Sequence, residues 1–145
     1  MSEATPARIE DVEAVFAHVL LNAAPVAAIV DDRVSFLVRP QDEHDPTIVV
    51  SRGSTLYART FGGRSAHEKG RIRLTCFAPD YRTLKRLTRA ASDAVDEFEG
   101  IVGGIEVTEA QVEDVFDLPD LSIIDRDERL LAAAVELQFT FERTD

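Results

Sequence analysis

The 145-residue sequence contains few of the residues that build catalytic or metal-binding sites. It has one cysteine, Cys76, and three histidines, His18, His44 and His67, none of them paired at a metal-binding interval. A lone cysteine cannot form an internal disulfide, and zinc ligands could come together only by coincidence of folding. The sequence patterns of nucleophile elbows, phosphate loops and calcium loops are also missing. We therefore expect no catalytic residue, no metal and no cofactor, and the protein is predicted not to be an enzyme.

Long apolar runs are missing as well. No stretch approaches the roughly 20 residues that cross a bilayer. The chain begins with MSEATPARIEDVEAV, which is acidic and helical in pattern rather than basic and then apolar like a signal peptide. We expect no membrane association and a location inside the producing cell. The length suits one domain, residues 1–145, which can bury about 70% of the surface that its unfolded chain exposes.

Lysine is scarce, whereas acidic residues are abundant. Arginine accounts for 14 of the 16 basic residues, and 27 acidic residues bring the net charge to −11. Residues 101–145 carry 12 acidic and 3 basic residues. Such a chain repels phosphates, so specific DNA binding is not expected, although DNA could pass along a negative wall without sticking. A GC-rich genome explains the arginine bias most simply, and the alternative, adaptation to high salt, predicts a stability that rises towards molar salt.

The most informative stretch, Arg71 to Glu99, changes its period at Pro79-Asp80. In RIRLTCFA, polar and apolar residues alternate, which is typical of a strand with one buried face. Asp80 is placed to cap a helix, because its carboxylate can accept from the unpaired amides of the first turn. The apolar stripe of that helix consists of Leu84, Leu87, Ala91, Ala94, Val95 and Phe98. The opposite face carries Arg82, Lys85, Arg86 and Arg89.

Apolar spacing elsewhere predicts a second main helix and several strands. The helix is predicted from a stripe that consists of Ile9, Val12, Phe16, Val19, Leu20 and Ala23, and Pro25–Val30 adds one turn. The predicted strands are Arg33–Val38, Thr47–Ser51, Arg71–Ala78, Ile105–Thr108 and Ala132–Phe141. A long hairpin is expected within Arg52–Gly70, and a long acidic segment with embedded apolar residues within Glu109–Glu128. These elements predict an α+β fold, with an antiparallel or mixed sheet of four to five strands, two main helices packed on one face and a long β-hairpin.

This order of elements resembles that of the tail-completion or tail-terminator proteins of long-tailed, siphovirus-like phages and archaeal tailed viruses. The resemblance covers Val15 to Phe141 and includes the DDRV segment, the stretch RIRLTCFAPDYRTLKRLTRAASDAV and the last strand. It implies an α+β, non-enzymatic virion protein that forms a ring, a hexamer in the family, where the tail tube meets the head. The family offers no functional residue motif to carry over.

Two candidate interaction surfaces follow from the charge pattern and the predicted hairpin. The helix after Asp80 has basic residues in its first half and acidic residues in its second, which opposes the helix dipole. Either a well-packed apolar face tolerates this order, or the basic stripe meets the acidic segment of a neighbouring subunit. The candidate subunit interface consists of Arg82, Lys85, Arg86, Arg89, Asp117, Leu118 and Leu121. The candidate tube-docking hairpin consists of Tyr57, Arg59, Phe61, Arg64, His67 and Lys69.

The resemblance therefore suggests a tail terminator that caps the tail tube and joins it to the neck of the head. Its expected partners are further copies of itself, the tail tube protein and a neck or head-completion protein, while DNA passes through the lumen. It would lie in the virion at the head-tail junction after assembly in the host cytoplasm. Two alternatives stay open: a neck or head-completion protein, and a small ligand-binding α+β domain, which predicts a closed apolar pocket.

Overall fold

The computed structural model describes residues 11–40, 45–60, 63–124 and 129–143, in which three helices and seven strands occur. The helices are α1 (Val12–Leu21), α2 (Ala24–Val30) and α3 (Tyr81–Val95), and a 3-10 turn covers Pro119–Leu121. The strands are β1 (Val34–Phe36), β2 (Thr47–Thr60), β3 (Gly63–Ala78), β4 (Gly100–Val102), β5 (Ile105–Asp117), β6 (Ile123–Ile124) and β7 (Arg129–Arg143). Ile9 of the predicted first stripe lies outside the described residues.

The strands form a mixed sheet in the order β1-β2-β3-β7-β5-β4, and β6 pairs with β7 beside this path. β1 runs parallel to β2, whereas the other pairs are antiparallel. The predicted α+β class and the mixed sheet are thus confirmed. The predicted number of four to five strands is too low, because the main path alone has six.

The strands that were not predicted are β4 and β6, and β5 is longer than predicted: it continues to Asp117, whereas the sequence suggested a strand only up to Thr108. The pairing of β5 with β7 shifts register between Thr108 and Gln111 and again between Val112 and Asp114. Glu109, in the first shift, has a φ of 56°. Each bulge adds a residue and breaks the alternation of apolar and polar side chains. A strand with two bulges therefore has no period of two for a sequence pattern to reveal.

The three helices cover one face of the sheet and share one hydrophobic core with it. From β2, β3 and β7 this core takes alternate residues, namely Ile48, Val50, Ile72, Leu74, Cys76, Ala78, Ala133, Val135, Leu137 and Phe139. From the helices it takes Val12, Val15, Phe16, Leu20, Val26, Val30, Leu84, Leu87, Ala91 and Val95. The alternation predicted for β3 and β7 is therefore present, and so is the apolar stripe predicted for α3, except that its last residue, Phe98, lies beyond the end of the helix at Val95. A smaller cluster, built from Val49, Phe77, Leu130 and Ala132, lies apart from this core.

Phenylalanine rings join α1 to the sheet. The ring centroid of Phe16 lies 4.8 Å from that of Phe139 and 6.2 Å from that of Phe98. Phe139 in turn lies 5.6 Å from Phe141. The neighbouring strand makes room with Gly70, where an added Cβ would stand 2.8 Å from the Phe139 ring. A residue without a side chain is thus required beside these rings.

No single helix among the described residues is long and apolar enough to cross a membrane. α1 and α2 reach that length and composition only when taken together, and they are bent by 88° where they meet.

Asp80 caps α3 as the sequence predicts. One of its carboxylate oxygens accepts from the Thr83 amide at 2.8 Å, and the other accepts from the Thr83 hydroxyl at 2.9 Å. These hydrogen bonds, the backbone one first, hold the pKa of Asp80 below its ordinary value.

Replacing Asp80 with alanine is expected to lower stability at neutral pH, because the first turn of α3 loses its acceptor. The ionised Asp80 carboxylate stabilises the fold at pH values above its unfolded pKa. This stabilisation disappears as the pH falls through the lower folded pKa. The free energies of unfolding of the wild type and of D80A, measured with denaturant, should therefore converge in acid. D80N is the control, since its amide oxygen still caps and it should lose much less; equal losses in both variants would contradict the capping role.

Candidate interaction surfaces

The first candidate surface is the outward face of α3. Arg82, Lys85, Arg86 and Arg89 are all exposed, because the opposite side of the helix is buried in the core. None of the four forms a salt bridge with another described residue. Lys85 makes a cation-π contact instead, with its Nζ 5.3 Å from the centroid of the Tyr81 ring. This face, hereafter the basic face, thus holds four cations that form no salt bridge with the described part of the chain.

A groove of about 490 Å³ runs between the basic face and β5. Val115 lies on the strand side of it and is 48% exposed. On the helix side it is lined by Lys85, Arg86, Thr88, Arg89, Ser92 and Asp93. The groove is therefore apolar on the strand side and mostly cationic along the helix.

The acidic and apolar members of the predicted interface lie at and just after the end of β5. The Tyr81 hydroxyl donates to the Asp117 carboxylate at 3.0 Å, and this hydrogen bond, reinforced by the negative charge, raises the pKa of Tyr81. Leu118 donates its amide to the Ala132 carbonyl and packs against the smaller cluster, while Leu121 is half exposed. The structure thus places Asp117 beside the start of α3, whereas Leu118 packs with the smaller cluster on the sheet face away from the helices.

The position of Asp117 beside the basic face limits how two copies of the chain could bind each other. A head-to-tail contact joins two different surfaces of the same chain. Since Asp117 and the basic face lie side by side within one subunit, they belong to the same half of such a contact. The complementary half must come from another part of the next copy.

The opposite edge of the sheet carries a feature that sequence reasoning missed. β1 is the outermost strand, and exposed apolar residues lie at its end: Phe36, its last residue, is 50% exposed, and the next two residues, Leu37 and Val38, are 76% and 68% exposed. Leu37 also has a φ of 69°. The available signal is the run FLV, which has no polar residue between its members but by its spacing predicts only part of a strand. We call Phe36, Leu37 and Val38 the apolar strip.

The predicted docking hairpin is formed by β2 and β3. The two strands pair through Tyr57 with Glu68 and Arg59 with Arg64, up to Thr60 with Gly63. β7 pairs with β3 only from Glu68 onward, so Gly63–His67 pair with β2 alone among the described strands. Lys69, at the base, is exposed. Phe61 lies outside the described residues.

The sheet face away from the helices carries ion pairs. Arg73 donates to the Glu136 carboxylate at 2.8 and 3.0 Å and lies over the Phe116 ring, and Arg71 pairs with Glu113 at 3.3 Å. These pairs line an open cleft of about 670 Å³. Among the described residues there is no group of three or more histidine, cysteine or acidic side chains that could hold a metal ion. The predicted absence of enzymatic activity stays a prediction.

No protein-family model matches this sequence, and a comparison with curated proteins gives no match. Its structure is similar to that of a chain from the virion of a native gene transfer agent particle, with a TM-score of 0.58 and 16% sequence identity. The similarity covers 90% of this chain and 94% of the other. At this low identity the comparison shows a shared fold, and that fold extends over nearly the whole of both chains.

Proposed function

We propose that the protein is a structural subunit of a virion. The observation that carries this proposal is the likeness to a gene transfer agent virion chain over nearly the full length of both proteins. Fold alone does not define function. The exposed basic face and the apolar strip support the proposal, because both are surfaces that an isolated subunit has no need to expose.

Within the virion, we propose the role of a tail terminator. Copies of the chain would form a ring, a hexamer by the family resemblance, that caps the tail tube, stops its growth and joins it to the neck. The β2-β3 hairpin, with Tyr57, Arg59, Phe61, Arg64, His67 and Lys69, would dock on the tube. The net charge of −11 suits a lumen through which DNA slides without binding. The proposed mechanism is surface complementarity without a chemical step.

Electron microscopy of the purified protein mixed with its tail tube subunit, at low and near-molar salt, tests this role. Tubes of limited length with a ring of this protein at one end are the expected result. Tubes that grow unchanged while the protein stays free would contradict termination. Binding to a portal-bound adaptor in place of the tube would instead identify a neck or head-completion protein.

Reversing two charges of the basic face should prevent ring formation. In R86E/R89E, like charges would replace attraction at the contact, and such a juxtaposition costs several kcal/mol, so we expect association to weaken at least ~100-fold. Both side chains are exposed and form no salt bridge with a described residue, so the stability of the monomer should change by no more than about 0.5 kcal/mol.

Sedimentation together with denaturant unfolding measures both quantities. R86K/R89K is the matched control, because it keeps the charges and should keep the ring. An intact ring in R86E/R89E would remove the basic face from the subunit contact.

A further inference from the structure

We infer that copies of this chain join head to tail through the two open edges of the sheet. The β1 edge of one copy lies along the β5 edge of the next, with the apolar strip in the groove between β5 and α3. This inference names the surface that holds the proposed ring together, and in that respect it rests on the proposed function.

Both edges are open within the described residues. β1 pairs with β2 on one side only. On the outer side of β5, β4 pairs only with Ile105–Val107, and residues after α3 bond the next part: Glu97 donates to the Ala110 carbonyl, and Val112 donates to the Asp96 carboxylate. No described strand pairs with that side from Glu113 to Asp117. Open strand edges are templates for pairing with another chain.

The two edges are level with each other. Phe36 is in register with Val50, Val50 with Leu74, Leu74 with Val135, and Val135 with Val115. This single row crosses five strands and ends at each edge in an apolar side chain that is about half exposed, 50% for Phe36 and 48% for Val115. Placed side by side, two copies would continue the row from Val115 of one to Phe36 of the next.

The strand directions also agree with this contact. β2, β3, β7 and β5 alternate in direction, and β1 is parallel to β2. β1 and β5 therefore run in opposite directions. Two copies in the same orientation would meet with antiparallel strands, which pair slightly more stably than parallel ones.

Charges of both signs lie beside the two edges. Asp31 and Asp32, in the turn that leads into β1, are exposed and form no salt bridge with described residues. The row that begins at Val34 ends at Asp117, which contacts Tyr81 in the first turn of α3. The acidic pair of one copy would thus approach both Asp117 and the basic start of α3, at Arg82, on the next. Opposite charges at such a rim select the partner and the register.

The backbone conformation of Leu37 indicates that the apolar strip serves an interaction. The Val38 amide donates to the Phe36 carbonyl at 2.7 Å around a Leu37 φ of 69°, which is a γ-turn of the rare, strained kind. The turn is fixed, since Leu37 also donates to the Val50 carbonyl at 2.9 Å and the Ser35 hydroxyl donates to the Val38 carbonyl at 3.3 Å. A branched apolar residue in a strained, exposed position adds nothing to the packing of the monomer. Strained backbone of this type clusters at functional sites, ligand clamps among them.

Leu37→Asn separates assembly from folding. Asparagine adopts positive φ more readily than leucine, so the monomer should melt at the same temperature as the wild type or higher. The substitution also removes the apolar side chain from the contact between copies, so we expect self-association in sedimentation to weaken at least tenfold. Leu21→Asn, a change of the same kind at an exposed leucine of α1, is the control and should associate like the wild type.

Cross-linking locates the contact directly. In one copy, Phe36 and Val115 are four strand spacings apart, about 19 Å, which is too far for a disulfide. F36C/V115C should therefore form covalent chains of copies under oxidation, whereas F36C and V115C alone should stop at dimers. The inference is overturned if the wild-type protein stays monomeric up to millimolar concentration and oxidised F36C/V115C forms no covalent ladder.

The two proposals can fail separately. If wild-type rings cap tail tubes and L37N rings do so equally well, the terminator role stands and the edge contact is wrong. If the ladder forms and L37N abolishes self-association but tubes are never capped, the edge contact stands and the terminator role is wrong.

Discussion

Replacing Phe16 with alanine should lower the free energy of unfolding by about 3–5 kcal/mol. The Phe16 side chain is completely buried and touches the rings of Phe139 in β7 and Phe98 after α3. The cavity left behind could not collapse, because its far wall is a paired strand whose neighbour, Gly70, already packs against Phe139. A natural domain is stable by about 5–15 kcal/mol, so this one change would remove a large share.

Denaturant unfolding followed by circular dichroism measures the loss. Phe36→Ala is the matched control: it removes the same side chain, but from a position that is half exposed at the sheet edge, so its effect on the monomer should be much smaller. Comparable losses in the two variants would mean that α1 is not held to the sheet through Phe16.

Stability is expected to fall steeply in alkali because of Cys76. The thiol is completely buried between α3 and the sheet, and burial raises its pKa from 9.0 to about 12. Between these pH values the unfolded chain carries a thiolate while the folded chain keeps its proton. The contribution of the protonated thiol to the free energy of unfolding is therefore complete below about pH 9. It is lost as the pH rises towards 12, at about 1.4 kcal/mol per pH unit.

Cysteine-free protein isolates this effect. C76A should be less stable than the wild type at neutral pH, because a buried sulfur is lost, but its stability should decline less in alkali. Tyr81, whose pKa is also raised, titrates in both proteins and cancels in the comparison. Guanidinium unfolding at neutral pH and at steps above about pH 9 measures the difference, and parallel pH profiles for the two proteins would contradict it.

The sequence predicted the parts of the fold that depend on local chemistry. The change of period at Pro79-Asp80 indicated both β3 and α3, since alternation, a capping carboxylate and a helical stripe each involve residues a few positions apart. The alternating pattern of β7 was equally clear. The same locality explains the miss in β5, where two bulges shift the phase of the strand and so hide it from any periodic pattern.

The candidate interface likewise combines features that the local sequence determines with features that only the tertiary structure determines. The sequence alone determined that four basic residues share one face of α3 and that acidic residues dominate the last third of the chain. Only the tertiary structure decided that Asp117 lies beside that face, and that Phe36 and Val115 end one row at opposite edges of the sheet. Those relations arise from strand order and register between segments far apart in the chain. Composition and period are local quantities, whereas neighbourhood across a sheet is set by long-range backbone pairing.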